Sequence, residues 1–140
     1  MPFLDQRTSQ GPKNTPVSTV AAAPDYIAGI GLIVGSATNI RVDINASVGV
    51  SSGNNTFILS VVRQNSPSDI GIFSAGTVIF SQSFVLTTPI TVSPETFSLS
   101  AADLPPTPAS GQLTYGLYAS ASAASAVYQG TQNLIGKAAN

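Results

Sequence analysis

The sequence contains no cysteine and no histidine among its 140 residues, and only 8% of them are charged. Without cysteine, neither a disulfide framework nor a thiolate metal site can form, and without histidine the Ser-His-Asp and Cys-His arrangements of nucleophilic catalysis are impossible. Zinc and iron sites that use histidine are excluded for the same reason. The sequence therefore predicts a protein that is not an enzyme and that has no catalytic residue, no cofactor and no metal.

The sequence also offers few residues for catalysis by carboxylates or by lysine. A glycosidase would need two facing carboxylates beside sugar-stacking aromatic rings, but the chain has no Trp and only four Tyr. A Ser-Lys pair is disfavoured because Lys137 lies in a polar tail that does not desolvate its amine. Calcium binding by loop carbonyls stays open, although no dense Asp/Asn loop has the required spacing. The six acidic residues are spread along the chain: Asp5, Asp25, Asp43, Asp69, Glu95 and Asp103.

The charge balance favours association between copies of the chain. The net charge is only −1, while 43% of the residues are hydrophobic, so the repulsion that keeps many proteins apart is nearly absent. The five basic residues are scattered without interleaved aromatics, which argues against nucleic acid and against a membrane surface as partners. The amino terminus lacks the basic and apolar regions of a secretory signal.

Residues 1–24 differ from the rest of the chain and are predicted to form an extended N-terminal connector arm. Prolines punctuate this segment, and its apolar residues are few. About 20 stretched residues reach roughly 65 Å, whereas the remaining body has a diameter nearer ~35 Å, so the arm can touch another subunit. A loose terminus is the alternative. The predicted connecting residues are Pro2, Phe3, Leu4, Val17 and Val20.

Residues 25–140 are predicted to form one all-β domain. Apolar residues alternate with polar ones from Ile40 to Val50, and Thr56–Arg63 follows after a turn-like Ser51–Asn55, so these two runs are expected to pair as a hairpin. A short strand is also predicted at Ile70–Phe73, and a long one at Thr77–Leu86 with Val78, Phe80, Phe84 and Leu86 facing inward. Eight or nine strands and many turns indicate an antiparallel β-sandwich, of jelly-roll type because the cysteines and the tryptophan of immunoglobulin domains are missing.

The predicted strand from Tyr26 to Val34 is apolar on both faces, and the predicted strand from Gln112 to Ala121 contains two tyrosines. Together they carry more apolar side chains than the interior of one sandwich obviously needs. We expect these regions to contact other copies of the chain. The candidate oligomer-interface residues are Tyr26, Ile30, Leu32, Tyr115, Leu117 and Tyr118.

Four segments together resemble jelly-roll proteins of the bacterial spore surface: Ile40–Val50, Thr56–Arg63, Phe97–Asp103 and Leu113–Ala121. The similar proteins are the endospore appendage fibre subunits and the exosporium nap glycoprotein, whose head is tumour-necrosis-factor-like. The resemblance covers residues 26–136 and contains no diagnostic motif. It implies a structural jelly roll, often a trimer, whose N-terminal connector docks into the next subunit. This chain lacks the collagen-like Gly-X-Y tract and the cysteines of those families.

The resulting hypothesis is a homo-oligomeric, trimeric subunit of an extracellular fibre or spore-surface appendage that reaches its location without an evident secretory signal. Its partner is itself, with other spore-surface proteins as further partners. A second hypothesis is a receptor- or glycan-binding head of a phage fibre or adhesin, which would use the Pro105–Gly111 loop with Tyr115, Tyr118 and Tyr128. A third is a virion shell or decoration protein.

Overall fold

The computed structural model describes residues 2–11, 24–51, 55–86, 95–121 and 127–140, and in these residues the chain is all-β. A single turn of 3-10 helix occupies Pro67–Asp69. Among the described residues, no helix has the length and apolar character needed to cross a membrane. The eight strands are β1 (Phe3–Gly11), β2 (Asp25–Ile33), β3 (Arg41–Ser51), β4 (Asn55–Gln64), β5 (Gly76–Leu86), β6 (Glu95–Asp103), β7 (Gln112–Ala121) and β8 (Val127–Ala139).

The strands form two antiparallel four-stranded sheets with the order β1-β8-β3-β6 in the first sheet and β2-β7-β4-β5 in the second. The pairs β4·β5, β3·β6, β2·β7 and β1·β8 are nested, as if one long hairpin had been rolled up so that its layers alternate between the sheets. This is the jelly-roll topology, and it confirms the predicted fold class.

The interior lies between the two sheets and follows from the alternation in the sequence. In β3, Val42, Ile44 and Val48 are almost fully buried, whereas Asp43 and Asn45 between them are exposed. The inward positions of the facing strands β4 and β7 have the same character. The largest fully buried side chains are Tyr115, Tyr118, Phe57, Leu32, Ile40, Ile44, Leu59, Leu117 and Leu134.

The predicted hairpin between the Ile40–Val50 and Thr56–Arg63 runs is wrong. The strand that contains the first run, β3, pairs with β6 and β8, whereas β4 pairs with β5 and β7 in the opposite sheet. Alternation shows which face of a strand is buried but not which strand lies beside it, and two consecutive strands on opposite sheets produce the same pattern as a hairpin.

The predicted division at residue 24 also differs from the structure. Phe3–Gly11 is strand β1, which pairs antiparallel with β8 and completes the first sheet, so this part of the predicted arm belongs to the sandwich. Residues 12–23 lie outside the described residues. The sequence signal for β1 is weak because an edge strand is held mainly by backbone hydrogen bonds, which do not depend on side-chain pattern.

Three loops gather at one end of the sandwich together with both termini. They are residues 34–40, 65–75 and 104–111. The Gly111 carbonyl accepts the backbone N–H groups of Val34 and Gly35, each at 2.9 Å, and the positive φ of 75° at Gly111 suits glycine. The segment Ile70–Phe73, which was predicted as a short strand, lies in the second of these loops.

Candidate functional site

Strand β1 closes the sandwich along one side. The Oδ2 atom of Asp5 accepts the backbone N–H of Ile33 at 2.8 Å, and Ile33 is the last residue of β2, the edge strand of the other sheet. Arg7 Nε donates to the same oxygen at 3.0 Å. These bonds, the one from Ile33 first among them, hold the pKa of the Asp5 carboxyl below its ordinary value of 3.8. Asp5 therefore bridges the two sheets where β1 and β2 lie side by side.

The apolar tip of the predicted arm is only partly engaged within its own chain. Leu4 is half-buried and packs against the core, whereas the Phe3 side chain is 59% exposed and Pro2 is exposed. The carbonyl of Pro2 accepts the N–H of Asn140 at 3.0 Å. Val17 and Val20 lie outside the described residues. The tip thus presents Phe3, a large apolar side chain, to its surroundings.

Five of the six predicted oligomer-interface residues are buried within their own sandwich. Their exposed fractions do not exceed 5%, so these side chains are not available to a second copy, and the prediction is corrected for them. Four of them belong to the interior, whereas Tyr118 lies on the outer surface of β7 and is covered by Phe73 from the loop of residues 65–75. The five are Ile30, Leu32, Tyr115, Leu117 and Tyr118.

The sixth residue, Tyr26, belongs to an aromatic cluster on the outer face of the second sheet. Its ring meets that of Tyr118 edge-to-face at 5.8 Å, and Phe73 from the loop of residues 65–75 meets Tyr118 at 5.2 Å. The Tyr118 hydroxyl donates to Gln64 Oε1, and burial raises its pKa. Tyr26 remains 37% exposed at the rim, so its role in an interface stays a prediction.

Strand β5 forms the other edge of the second sheet, and none of its side chains is charged. Its eleven residues contain no charge and no proline. Val78 is 45% exposed and Val85 is 68% exposed. Val78 was predicted to face inward, but a bulge beside it opposes it to Val62 on the outer face. Edge strands of soluble proteins normally carry charges, prolines, bulges or covers that prevent pairing with another chain. Strand β5 has the one bulge beside Val78 but neither charge nor proline.

The seam between β5 and β6 is less tightly closed than the seam between β1 and β2. Phe80 and Phe84 point from β5 toward the interior but are only half-buried. The ring of Phe84 packs on Phe97 of β6 at 4.7 Å, and Phe97 in turn lies 5.7 Å from Phe57. The hydrophobic interior is therefore partly exposed along this side of the sandwich.

A polar cluster that the sequence analysis missed connects the two sheets near the loop end. Asp103 of β6 accepts two hydrogen bonds from Arg63 Nη1, at 2.8 and 2.7 Å, and one from the Tyr115 hydroxyl at 2.9 Å. Burial, reinforced by Asp103, strongly raises the pKa of Tyr115, which therefore stays protonated and donates. The three residues lie on three different strands, so no local pattern in the sequence brings them together. The one sequence signal is that Tyr115 shares a strand face with the apolar residues Leu113 and Leu117. It is a structural cross-link without a free nucleophile.

An open cavity of about 500 Å³ lies beside the proline-rich loop. Leu104 at its rim is 75% exposed, and the Thr107 hydroxyl donates to the Ala37 carbonyl, which holds the loop in place. Tyr115 and Tyr118, which were predicted to bind glycans with this loop, are buried, and their hydroxyl groups donate to Asp103 and Gln64. The side chain of Tyr128, the third predicted residue, lies outside the described part of the structure. The lining residues are Asn39, Ile40, Leu104, Pro105, Pro106 and Thr107. Within the described part of the chain, no three Asp or Glu residues gather as metal ligands.

No protein-family model matches the sequence, and no curated protein matches it. Solved structures do resemble the fold. The insecticidal delta-endotoxin Cry8Ea1 of Bacillus thuringiensis aligns over 96% of this chain with a TM-score of 0.52 and 17% identity. The VP2 subviral particle of infectious bursal disease virus aligns over 95% with a TM-score of 0.51 and 9% identity.

These likenesses concern the fold alone because the identities are low. This chain spans 24% of the toxin chain and 32% of the VP2 chain, so in both cases it corresponds to one part of a larger protein. The jelly roll is a fold that serves many unrelated functions, and function has to be argued from surfaces.

Proposed function

We propose that the chain is a non-catalytic structural subunit that self-assembles, edge to edge, into an extracellular fibre or surface appendage. The observation that carries the proposal is β5, an eleven-residue edge strand without charge or proline that exposes Val78 and Val85. Such an edge offers a row of backbone donors and acceptors for another chain, and its apolar side chains gain by being covered.

Two further properties support self-assembly. Only 8% of the residues are charged, so copies of the chain repel one another weakly. Away from Arg41, Asp43 and Lys137, outward positions of the first sheet carry hydroxyl and amide groups. Ser47 and Ser98 are examples, and their Oγ atoms lie 3.0 Å apart. Groups of this kind can be buried against a second copy without the desolvation cost of an ion.

The proposed location is extracellular, at a spore surface, and it rests on the resemblance of the sequence to spore-surface jelly rolls. An assembly of trimers is the proposed arrangement on the same basis. Antibodies against the folded chain should label the surface of intact spores of the source organism in immunogold electron microscopy. Label confined to the interior of vegetative cells would contradict this location.

The assembly proposal is tested by placing one charge on the β5 edge. In Val85→Lys, the replaced side chain is largely exposed, so the free energy of unfolding should change by less than about 0.5 kcal/mol. A matched control is Ser74→Lys, which adds the same charge at an exposed position of the loop of residues 65–75. We expect fibres for the unaltered chain and for the control, and soluble particles for Val85→Lys, in negative-stain electron micrographs.

Two results would overturn the proposal. One is an unaltered chain that remains monomeric in sedimentation velocity over the whole accessible concentration range. The other is a Val85→Lys variant that forms the same fibres as the control, because the β5 edge would then play no part in the assembly.

A binding head is a second candidate function, favoured by the open cavity beside Leu104. Its volume of about 500 Å³ falls within the range of small-molecule sites. A glycan array that compares the unaltered chain with Leu104→Ala tests whether the cavity binds sugars. Equal signals for both chains would show that the cavity is not the binding site. A virion shell, the third hypothesis, predicts closed particles instead of fibres in the same micrographs.

A further inference from the structure

We infer that β1 is an exchangeable strand: in the assembled protein, β1 of one copy lies on the β8 edge of a second copy and makes there the contacts that it makes within its own chain. The inference rests on the proposed self-assembly and identifies the docking site of the connector. The binding partner is a second copy of this chain.

The docking site is defined by what β1 covers in the closed chain. Strand β8 has β3 on one side and β1 on the other, and the pairing with β1 runs from Gln132 to Ala139. Removal of β1 would leave this row of backbone groups unpaired and would uncover the interior near Leu134 and Ala138, which are both fully buried. An open chain therefore presents a site that accepts one strand with this register.

Among the side chains of residues 3–9, which the structure describes, the anchors of β1 are few and can be remade in another copy. Besides its backbone pairing with β8, the strand contributes the half-buried Leu4 to the core and the Asp5 bond to the Ile33 N–H. Gln6, Arg7 and Thr8 are exposed. Since Leu4 is the one side chain of residues 3–9 that packs against the core, the release of β1 should cost less than the release of a central strand such as β3, which contributes Val42, Ile44 and Val48.

Phe3 is a second, independent indication. Its side chain is 59% exposed in the closed chain, although it stands beside Leu4, which does reach the core. A large apolar side chain at the tip of a strand gains stability when a neighbouring subunit covers it. A transferred β1 would bring Phe3 to the junction of two copies, where such a cover is available.

The length of the chain between β1 and β2 permits the transfer. Twelve residues, 12–23, separate Gly11 from Pro24, and an extended segment of that length spans up to roughly 40 Å. This matches the ~35 Å diameter of a compact domain of this size. Because the contacts are the same within one chain and between two, concentration decides which form prevails, as in domain swapping.

Disulfide trapping tests the exchange. Because the chain has no natural cysteine, every disulfide that forms joins two introduced cysteines. Thr8 of β1 faces Ile135 of β8, and facing residues on antiparallel strands are close enough to be joined by a disulfide. Isotope-labelled Thr8→Cys chains are mixed as monomers with unlabelled Ile135→Cys chains, allowed to assemble and then oxidised. Mass spectrometry counts labelled-to-unlabelled disulfides, and electron microscopy of the same sample records fibres.

A matched control replaces Ile135→Cys by Asn45→Cys. Asn45 lies on the same outer face, next to Ile135 but one strand further from β1, at about 10 Å from Thr8. Cysteines at that separation cannot be joined without backbone movement. The pair Gln6→Cys with Lys137→Cys, which face each other in the same register, repeats the test at a second position.

The expected result is that mixed disulfides between Thr8→Cys and Ile135→Cys chains exceed the control on the order of a hundredfold, the gain in effective concentration for docked over free thiols. Fibres whose mixed disulfides stay at the control level would overturn the exchange and leave the proposed assembly intact. The control level without any fibres would overturn both.

Discussion

The hydroxyl of Tyr115 in β7 donates to Oδ2 of Asp103 in β6, at 2.9 Å, and thereby joins the two sheets across the interior. The same carboxylate accepts two hydrogen bonds from Arg63 of β4. The bond from Tyr115 is a hydrogen bond to a charged group, which contributes more to stability than one between neutral partners.

Tyr115→Phe should lower the free energy of unfolding by about 1.5–3 kcal/mol, because it removes this bond and keeps the ring. Tyr118→Phe is the matched control. It removes a bond to the neutral amide of Gln64 and should cost about 1 kcal/mol. Urea unfolding of the three chains gives the comparison, and a larger loss for Tyr118→Phe would contradict the charge-assisted role of Asp103.

The Asp5 carboxyl makes the closure of β1 dependent on pH. Its pKa in the folded chain is lowered below 3.8, chiefly by the Ile33 N–H, so the folded state favours the ionised form. The resulting stabilisation is present above pH 3.8 and is lost as the pH falls through the lower folded pKa. The unaltered chain should therefore exceed Asp5→Asn in stability at neutral pH, and this difference should shrink below pH 3.8.

Thermal unfolding of both chains over a pH series measures the effect. Asp43→Asn is a suitable control because Asp43 lies on the exposed face of β3, paired with Arg41 in solvent, where ion pairs contribute little. A stability difference between the unaltered chain and Asp5→Asn that grows as the pH falls would contradict the assignment.

The β5–β6 seam predicts different costs for two phenylalanines in contact with each other. Phe97 is only 9% exposed and packs on both Phe57 and Phe84, so Phe97→Ala should cost about 3–5 kcal/mol. Phe84 is half-buried, and Phe84→Ala should cost about 1–2 kcal/mol. Equal losses in chemical denaturation would show that the seam is closed in solution.

The sequence allowed the fold class to be predicted because alternation is a local property. The alternation from Ile40 to Val50 and the inward residues of β4 and β7 are confirmed, since burial on one face imposes a period of two. The partners of the strands could not be predicted in the same way. Pairing in a jelly roll joins residues as distant as Phe3 and Ala139, and no local pattern encodes that choice.

Five of the six predicted interface residues were wrong for the same reason, because local pattern does not show which side chains meet in the folded chain. Tyr115 and Tyr118 looked like surplus apolar residues, but their hydroxyl groups are satisfied inside by Asp103 and Gln64, which approach only in the folded chain. Val78 was assigned to the wrong face because one bulge in β5 shifts the alternation there. Residues 3–11 were predicted to be extended, as part of the arm, and in the structure they form β1. Their pairing with β8 could not be predicted because it depends on backbone hydrogen bonds between the two ends of the chain.

The nested pairing of the strands has a consequence for the order of folding. β4 and β5 meet across a loop of eleven residues, with Gln64 opposite Gly76, whereas β1 and β8 come from the two ends of the chain. Closing a long loop costs more entropy, so we expect the β4–β5 hairpin to become protected first and β1 last in pulse-labelling hydrogen exchange. Each new molecule would then pass through an interval in which its sandwich is formed but its last edge is vacant. The number of neighbours present during that interval would decide whether the chain closes on itself or joins a polymer.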